Sequence, residues 1–212
     1  MELTIDEARA LYAEADSVHD FDHILRVLTL AEQIARAEGA ELSVVRVAAL
    51  LHDWGREAAH AEGDDHAAVA ATRADRFLAS RGVPVTQRAA VVHAIAAHRF
   101  RTHPMPQTIE AQVLFDADKL DAIGAIGVAR AFAYGGAHNQ RLWAPRARID
   151  RPRWQALGDD PQTHTPVHEF VVKLSRIPDL LHTAEGRRIA GDRHRYMVDF
   201  YARLDAEIQG ER

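Results

Sequence analysis

The feature that most constrains this chain is the end of an apolar helical stretch at residues 48–55. Two alanines and two leucines lead directly into His52 and Asp53, and Gly55 follows after one further residue. Imidazole and carboxylate groups are the side chains that commonly bind both divalent metal ions and protons. Unless the histidine only caps the helix and the aspartate faces water, a buried helix that ends in this pair needs partners from elsewhere in the fold.

Apolar periodicity and capping signals predict an all-α fold. Hydrophobic residues make up 47% of the 212 residues, and there are only 12 Gly and 8 Pro, which favours helices over short strands. We predict a single-domain compact bundle, residues 1–212, of about 8 to 10 helices. The predicted helices lie at about 4–15, 23–39, 42–53, 66–80, 86–98, 113–123, 166–181 and 185–207, and residues 126–134 either continue or restart the sixth of them after Gly124 and Gly127. Residues 55–65 and 135–166 are predicted to be loops.

Composition excludes several classes of site and partner. The chain has no cysteine, so a metal ion would be held by His, Asp, Glu or water. The net charge of -5 does not resemble a nucleic-acid-binding surface. The first residues lack the basic and apolar regions of a signal peptide, and no apolar run approaches membrane-spanning length, so we expect neither a signal peptide nor a membrane span. We therefore expect a cytoplasmic protein without a nucleic-acid or membrane partner, either a monomer or a homodimer.

Candidate partners for the His52–Asp53 pair lie on two other predicted helices. His23 opens the second helix, and residues 116–121 (DADKLD) lie within the sixth. Inward groups from facing helices can build a metal site in a helical bundle. Asp116 and Asp118 differ by roughly 200° around a helix, so they cannot both face one point. The alternative is a helix with solvated aspartates.

Three segments together resemble a known family. Residues 23–27 (HILRV), 48–53 (AALLHD) and 116–122 (DADKLDA) resemble, in order and spacing, the H…HD…D signature of the HD-domain phosphohydrolases. The resemblance covers residues 16–135, and the tail is similar to a bacterial subgroup related to nucleotide pyrophosphohydrolases. It implies an HD-type helical core, with a C-terminal loop and helices (136–212) packing on it.

The resemblance also implies a metal site. The implied ligands are His23, His52, Asp53 and Asp118. The implied cofactor is one divalent ion, and ligand type alone leaves Mn²⁺, Mg²⁺, Fe²⁺, Co²⁺, Ni²⁺ and Zn²⁺ open. His19 is a rival for His23, but it precedes the helix. We assign His66 and His98 to substrate binding, with ligation of a second ion as the alternative.

Further residues are candidates for substrate binding and proton transfer. The expected phosphate-binding cations are Arg26, Arg56, Lys119 and Lys173, each of which could instead be an ordinary surface cation. The expected general acid or base is Glu57, Asp64 or Asp65. In family members that cleave nucleotide phosphates, a glutamate often follows the HD dipeptide by three positions. This chain departs from that pattern, since it has arginine there and Glu57 one residue later.

The resemblance implies a metal-dependent phosphohydrolase acting on a small phosphorylated substrate. We expect a nucleotide, with cleavage of a triphosphate to monophosphate and pyrophosphate. Hydrolysis of a nucleoside monophosphate or a cyclic nucleotide is the alternative. A di-iron oxygenase, which would need His66 and His98 as added ligands, and a non-catalytic nucleotide sensor are the alternatives of other classes. The basic stretch at 143–154 either closes over a nucleotide or is a solvated loop.

Overall fold

The computed structural model describes residues 2–12, 21–99, 104–145 and 164–211. His19 and most of the basic stretch at 143–154 lie outside these residues. Within them the chain forms ten α-helices and one 3₁₀ helix (Leu174–Leu180), with no strand, which confirms the predicted all-α class. The α-helices are α1 (Ile5–Arg9), α2 (Phe21–Glu38), α3 (Leu42–Leu51), α4 (Arg56–Glu62), α5 (His66–Ser80), α6 (Val85–Ala96), α7 (Ile109–Leu120), α8 (Gly124–Ala137), α9 (Pro166–Val172) and α10 (Ala184–Ile208).

The helices form two compact units. The first comprises Met1–Asp118 and Leu181–Gly186, and the second comprises Lys119–Leu180 and Arg187–Arg212. Helices α7 and α10 each begin in the first unit and end in the second. Among the described helices, none is long and apolar enough to cross a membrane.

Helix α3 is the centre of the first unit. Seven of its ten residues are buried, in an almost continuous run from Val44 to Leu51, as expected of a helix that is covered on all sides. It packs against α2 and α6, while α5 packs against α4 and α6. Helix α2 buries apolar residues at helical spacing, among them Ile24, Val27, Ala31 and Ile34. This packing brings the ends of several helices close to the end of α3.

Local signals explain most helix boundaries. Thr4 and Glu7 form the predicted capping box of α1, although that helix ends at Arg9 instead of near residue 15. Helix α2 is followed by Gly39 at φ +72°, the left-handed conformation that commonly ends helices. Asp65 caps α5, because its carboxylate accepts a hydrogen bond from the Ala67 amide at 2.9 Å.

The predicted loop at residues 55–65 was wrong over most of its length. The structure places α4 there, between Gly55 at φ +94° and Gly63 at φ +75°. The two glycines bound a short helix instead of marking a continuous loop. Only Ala59 of this helix is buried, so the segment lacks the apolar stripe by which helices are recognised in a sequence.

The second unit is built around the aromatic ring of Tyr201 on α10. This side chain is fully buried, and its ring stacks on Phe170 with centroids 4.4 Å apart. Its hydroxyl donates to the Pro166 carbonyl oxygen at 3.2 Å, so the buried polar atom has a partner. Helix α9 also packs against α8 and the 3₁₀ helix.

Candidate metal centre

His52 lies at the C-terminal end of α3, and Asp53 follows in the turn to α4. His52 is 0% exposed and Asp53 is 5% exposed. The Nδ1 atom of His52 lies 2.8 Å from the Ala49 carbonyl oxygen. A carbonyl can only accept, so Nδ1 carries the proton and Nε2 presents its lone pair. The helix end therefore aims an unprotonated ring nitrogen into the protein interior.

A first cluster of potential ligands lies around His52. The Nε2 atom of His23 is 3.4 Å from Asp118 Oδ1 and 3.8 Å from Asp53 Oδ2. The Nε2 atom of His52 is 3.9 Å from each of the same two oxygen atoms. His23, His52 and Asp118 thus bring one ligand atom each to a common point, with one oxygen of Asp53 beside them.

A second cluster lies on the other side of the Asp53 carboxylate. Asp53 Oδ1 is 3.7 Å from His66 Nε2 and 3.8 Å from His98 Nε2. His98 has the same second contact as His52, because its Nδ1 atom lies 2.6 Å from the Ile95 carbonyl oxygen. Its Nε2 atom therefore also presents a lone pair. Asp53 turns one oxygen toward each cluster.

The residues of both clusters fit a divalent metal ion. Their interatomic distances exceed the usual range of hydrogen bonds, but they suit atoms that each lie about 2 Å from a shared ion. Two fully buried atoms, His52 Nε2 and Asp53 Oδ1, have no hydrogen-bond partner among the described residues. Buried polar atoms without partners are costly, and a metal ion would supply the missing partner. The histidine Nδ1 contacts with backbone carbonyls are typical of metal ligands.

The electrostatics favour neutral histidines and an ionised aspartate. Burial lowers the pKa of His52 despite the nearby carboxylates of Asp53 and Asp118. Burial likewise lowers the pKa of His66 to about 4. Burial alone would raise the pKa of Asp53, but the positive charges of His52, Arg56 and His98 hold it well below its usual range. When the histidines are neutral, Arg56 still favours the ionised form of Asp53, because its Nη1 atom donates to Asp53 Oδ2 at 2.7 Å. These are the protonation states that metal ligands require.

The structure brings together the four residues that the resemblance implied as ligands: His23, His52, Asp53 and Asp118. It adds His66 and His98 to the same place. Asp116, two residues before Asp118, lies on another face of α7 and hydrogen-bonds to the backbone amides of residues 182 and 183. This agrees with the angle that separates the two aspartates on a helix.

The predicted cations have different surroundings. Arg56 contacts Asp53, as described above, while Arg26 is half-buried one turn after His23 in α2. Lys119 and Lys173 belong to the second unit, where Lys173 pairs with Glu169 at 2.6 Å. Sequence reasoning missed Arg99, whose guanidinium lies 3.1 Å from Asp65. Because Arg99 directly follows His98, which was already a candidate site residue, the sequence could have suggested it as a further cation.

The predicted acids are also unlike one another. Glu57 on α4 and Asp64 just after it are exposed, and neither belongs to the two clusters. Asp65 is occupied as the cap of α5 and as the partner of Arg99. His60 was not among the predicted site residues. Its ring stacks on that of His66, with centroids 5.8 Å apart.

Comparison with known proteins identifies the family. The pattern of the HD domain matches residues 20–123. The uncharacterized protein YpgQ of Bacillus subtilis is 31% identical over 206 residues, which cover 95% of this chain and 90% of YpgQ. This chain therefore belongs to the HD domain family, and it is a metal-dependent hydrolase of that superfamily.

Solved structures support the same assignment. An HD-superfamily hydrolase from Bacillus thuringiensis matches with a TM-score of 0.74 and 29% identity, over 97% of this chain and 94% of that one. The structure of Bacillus subtilis YpgQ in complex with ADP matches with a TM-score of 0.72 and 30% identity, over 99% and 100% of the two chains. Ribonuclease Y of Chloroflexus aurantiacus is 30% identical over 67% of this chain, but the match spans only 31% of that enzyme.

Proposed function

We propose that this protein is a phosphohydrolase that uses two divalent ions and acts on a nucleotide. The observation that carries the proposal is the Asp53 carboxylate, which turns one oxygen toward each of two ligand clusters. Carboxylates that face two clusters in this way are suited to a two-ion hydrolytic site. The proposed ligands are His23, His52, Asp53, His66, His98 and Asp118.

Charge balance favours an anionic substrate. The six proposed ligands carry two negative charges, those of Asp53 and Asp118, whereas two divalent ions bring four positive charges. Arg56 and Arg99 are cations close to His66. Their charges lower the pKa of His66, although burial lowers it more. A phosphorylated substrate would balance this excess, and the net charge of the whole chain does not oppose it, because local potential decides.

The chain's own residues supply positioning. When bound, a pair of divalent ions lowers the pKa of water and polarises a phosphoryl oxygen. The Ala49 and Ile95 carbonyls fix the ring orientation of His52 and His98. Cations near the site neutralise phosphoryl charge, which is the main requirement of phosphoryl transfer. Glu57 and Asp64 remain our candidates for the general acid or base, because Asp65 is engaged as a helix cap.

A nucleotide is the substrate class that we propose. Support comes from YpgQ, which matches this chain over almost its full length and whose structure holds ADP. We propose cleavage of a nucleoside triphosphate to monophosphate and pyrophosphate. Hydrolysis of a nucleoside monophosphate or a cyclic nucleotide is the alternative at the same site.

The test is hydrolysis of a phosphoester panel by the purified protein loaded with Mn²⁺ or Co²⁺. The panel contains nucleoside tri-, di- and monophosphates, cyclic nucleotides and a single-stranded RNA. Separation of products by chromatography tells pyrophosphate release from phosphate release. We expect turnover of a nucleotide by the wild type and its loss in His52→Ala. The proposal fails if no nucleotide is hydrolysed, and cleavage of the RNA alone would replace it.

The same six residues also meet the ligand requirement of a di-iron oxygenase. The similarity of this chain to HD-superfamily hydrolases of known structure favours hydrolysis. Metal analysis separates the two functions, because an oxygenase would hold two irons per chain and consume oxygen. Activity with redox-inert Zn²⁺ or Mg²⁺ would rule out the oxygenase, whereas oxygen consumption without phosphoester cleavage would support it.

A further inference from the structure

The contact between Arg56 and Asp53 involves an oxygen that also belongs to the proposed metal site. Arg56 Nη1 donates to Asp53 Oδ2 at 2.7 Å. The same oxygen lies 3.8 Å from His23 Nε2 and 3.9 Å from His52 Nε2. A guanidinium and a metal ion would therefore share one carboxylate oxygen. The Arg56 side chain is 26% exposed, so it also has access to solvent.

A tight turn builds this contact. The Arg56 amide donates to the Asp53 carbonyl oxygen at 3.0 Å, and Arg56 is the first residue of α4. Gly55 takes up the left-handed conformation between them, at φ +94°, and a Cβ atom there would lie 2.5 Å from the Arg73 guanidinium. Glycine is the residue that this turn accommodates without strain. The turn places the Arg56 side chain over the Asp53 carboxylate.

The charge around Arg56 would change sign if two divalent ions bound. Without ions, the neutral histidines leave the two carboxylates of Asp53 and Asp118 as the local charge, and these attract a guanidinium. Two divalent ions bring four positive charges to the same place, so the site becomes net positive. A guanidinium next to a net positive site is repelled by it. The most favourable partner for Arg56 is then an anionic substrate. Planar guanidinium groups bind phosphate well.

The geometry points to an arginine that changes partner: Arg56 pairs with Asp53 in the metal-free protein and binds a phosphoryl oxygen of the substrate once the ions are bound. Its second half rests on the proposed phosphohydrolase function. Arg56 therefore competes with the first ion and then contributes to substrate binding. If Arg56 only oriented Asp53, its removal would weaken metal binding instead of strengthening it, because a ligating carboxylate would lose the hydrogen bond that orients it.

The test uses Arg56→Met with two probes, Mn²⁺ alone and inorganic phosphate. Mn²⁺ is titrated into chelator-treated protein and the free ion is measured by electron paramagnetic resonance. We expect the first Mn²⁺ to bind about tenfold more tightly than in the wild type, the size of effect that one neighbouring charge has on an ionisable group. Phosphate is titrated calorimetrically into Mn²⁺-loaded protein freed of excess ion. We expect its affinity to fall about tenfold or more, as for a lost charged hydrogen bond.

Two control variants make the result specific. Arg56→Lys keeps the charge but loses the planar fork, so Mn²⁺ affinity should stay near that of the wild type while phosphate affinity falls by less than in Arg56→Met. Arg88→Met removes an arginine of similar exposure, 22%, whose partner is Asp75, and both affinities should stay unchanged. Circular dichroism checks that each variant is folded. If Arg56→Met does not fold, the phosphate affinity of Arg56→Lys relative to the wild type takes its place.

Weaker Mn²⁺ binding in Arg56→Met would overturn the partner change and leave Arg56 an orienting residue. Unchanged phosphate affinity would also overturn it. Neither measurement needs turnover, so the outcome is separate from that of the substrate panel. If no nucleotide is hydrolysed but both affinities shift as expected, the proposed function fails, and what stands is that Arg56 competes with the first ion and binds phosphate in the metal-loaded protein.

Discussion

Two aspartates in the first unit, Asp53 and Asp116, are both buried but differ in their hydrogen-bond partners. Asp116 is 0% exposed, and its oxygens accept from the backbone amides of His182 at 2.9 Å and Thr183 at 2.7 Å and from the Thr183 hydroxyl at 2.6 Å. Asp53 Oδ2 accepts a hydrogen bond from Arg56. Asp53 Oδ1 has no hydrogen-bond partner among the described residues and faces His66 and His98. Burial of an acid therefore does not by itself indicate a metal or catalytic site, whereas a buried carboxylate oxygen that lacks a donor favours one.

The two surroundings also act differently on the carboxyl groups. Burial raises the pKa of Asp116, and hydrogen bonds from Thr183 and His182 offset part of that effect. For Asp53 the neighbouring positive charges outweigh burial and lower the pKa. Asp116 secures the start of α10, where the Thr183 hydroxyl also accepts from the Gly186 amide at 3.0 Å. We therefore expect variants of Asp116 to lose stability, and variants of Asp53 to lose metal and activity.

The largest expected effect is that of Asp53→Asn on activity. The asparagine keeps the shape but removes the negative charge that both clusters share. Loss of ion binding forfeits several kcal/mol of transition-state stabilisation, which corresponds to roughly a thousandfold loss in kcat/KM. Metal content after dialysis and hydrolysis of the panel substrate measure the two effects.

The same variant tests the other half of the comparison. In metal-free protein, Asp53→Asn should change the free energy of unfolding by about 1 kcal/mol or less, because removing the charge relieves its desolvation cost and the partner left behind, Arg56, is 26% exposed and keeps access to solvent. Urea unfolding with chelator present measures this. If Asp53→Asn destabilised the metal-free protein as much as a variant of Asp116, the contrast between the two carboxylates would be lost.

The next largest effect is that of Asp116→Ala on stability. The substitution leaves the amides of His182 and Thr183 and the Thr183 hydroxyl without their acceptor. Buried donors that lose a partner cost about 1–3 kcal/mol each, so we expect a loss of about 3 kcal/mol. For a chain of this length this lowers Tm by roughly 6–12 °C. Mn²⁺ binding at low temperature should stay near that of the wild type, and its loss there would show that Asp116 also shapes the metal centre.

The sequence predicted the fold well where the signals are local. Capping residues such as Thr4 and apolar periodicity located most helices, because both act within a few residues. Helix α4 was missed, since it buries only Ala59. The three segments that bring His23, the His52–Asp53 pair and Asp118 together could be proposed because their residue types match a known motif. The role of His98 stayed open, because the direction of its ring depends on the carbonyl that its Nδ1 atom meets. The hydrogen-bond partners of Asp116 follow it by 66 and 67 residues. Contacts over such a separation have no local sequence pattern from which they could be predicted.

A smaller effect is expected from a methyl group placed next to Asp116. In Gly186→Ala the new Cβ would lie 2.5 Å from Asp116 Oδ2 and 2.6 Å from Thr183 Oγ1. Overpacking of this kind costs about 1–3 kcal/mol, which exceeds the gain of up to about 1 kcal/mol from replacing a helical glycine. We expect a net loss of about 1–2 kcal/mol by urea unfolding.

Gly191→Ala is the matched control in the same helix, since its Cβ would meet nothing within 4 Å. There the gain in helix propensity is unopposed, and stability should rise by up to about 1 kcal/mol. A rise of equal size in both variants would mean that the contacts of Asp116 relax freely, which would weaken its role as a structural carboxylate.

The smallest expected effect concerns Glu169, a half-buried acid of the second unit that has partners, as Asp116 does. Burial alone would raise its pKa, but the hydrogen bond to His164 and the charge of Lys173 lower it from 4.5 to about 2. Because the folded pKa is lower, the unfolded chain binds more protons between these values. The stabilisation is therefore present above about pH 4.5 and is lost as the pH falls toward 2. The side chain is 25% exposed, so screening reduces the contribution to about 1 kcal/mol.

We expect Glu169→Gln to be about 1 kcal/mol less stable than the wild type at pH 7, and the difference to shrink as the pH falls from 4.5. Urea unfolding of metal-free protein from pH 7 to pH 3 measures this. Glu207→Gln is the control, because Glu207 also pairs with a cation four residues away but is 51% exposed, and it should change stability by less than about 0.5 kcal/mol. Equal effects of the two variants at every pH would mean that the partners of Glu169 do not stabilise its charge, and that having donors does not by itself make a carboxylate structural.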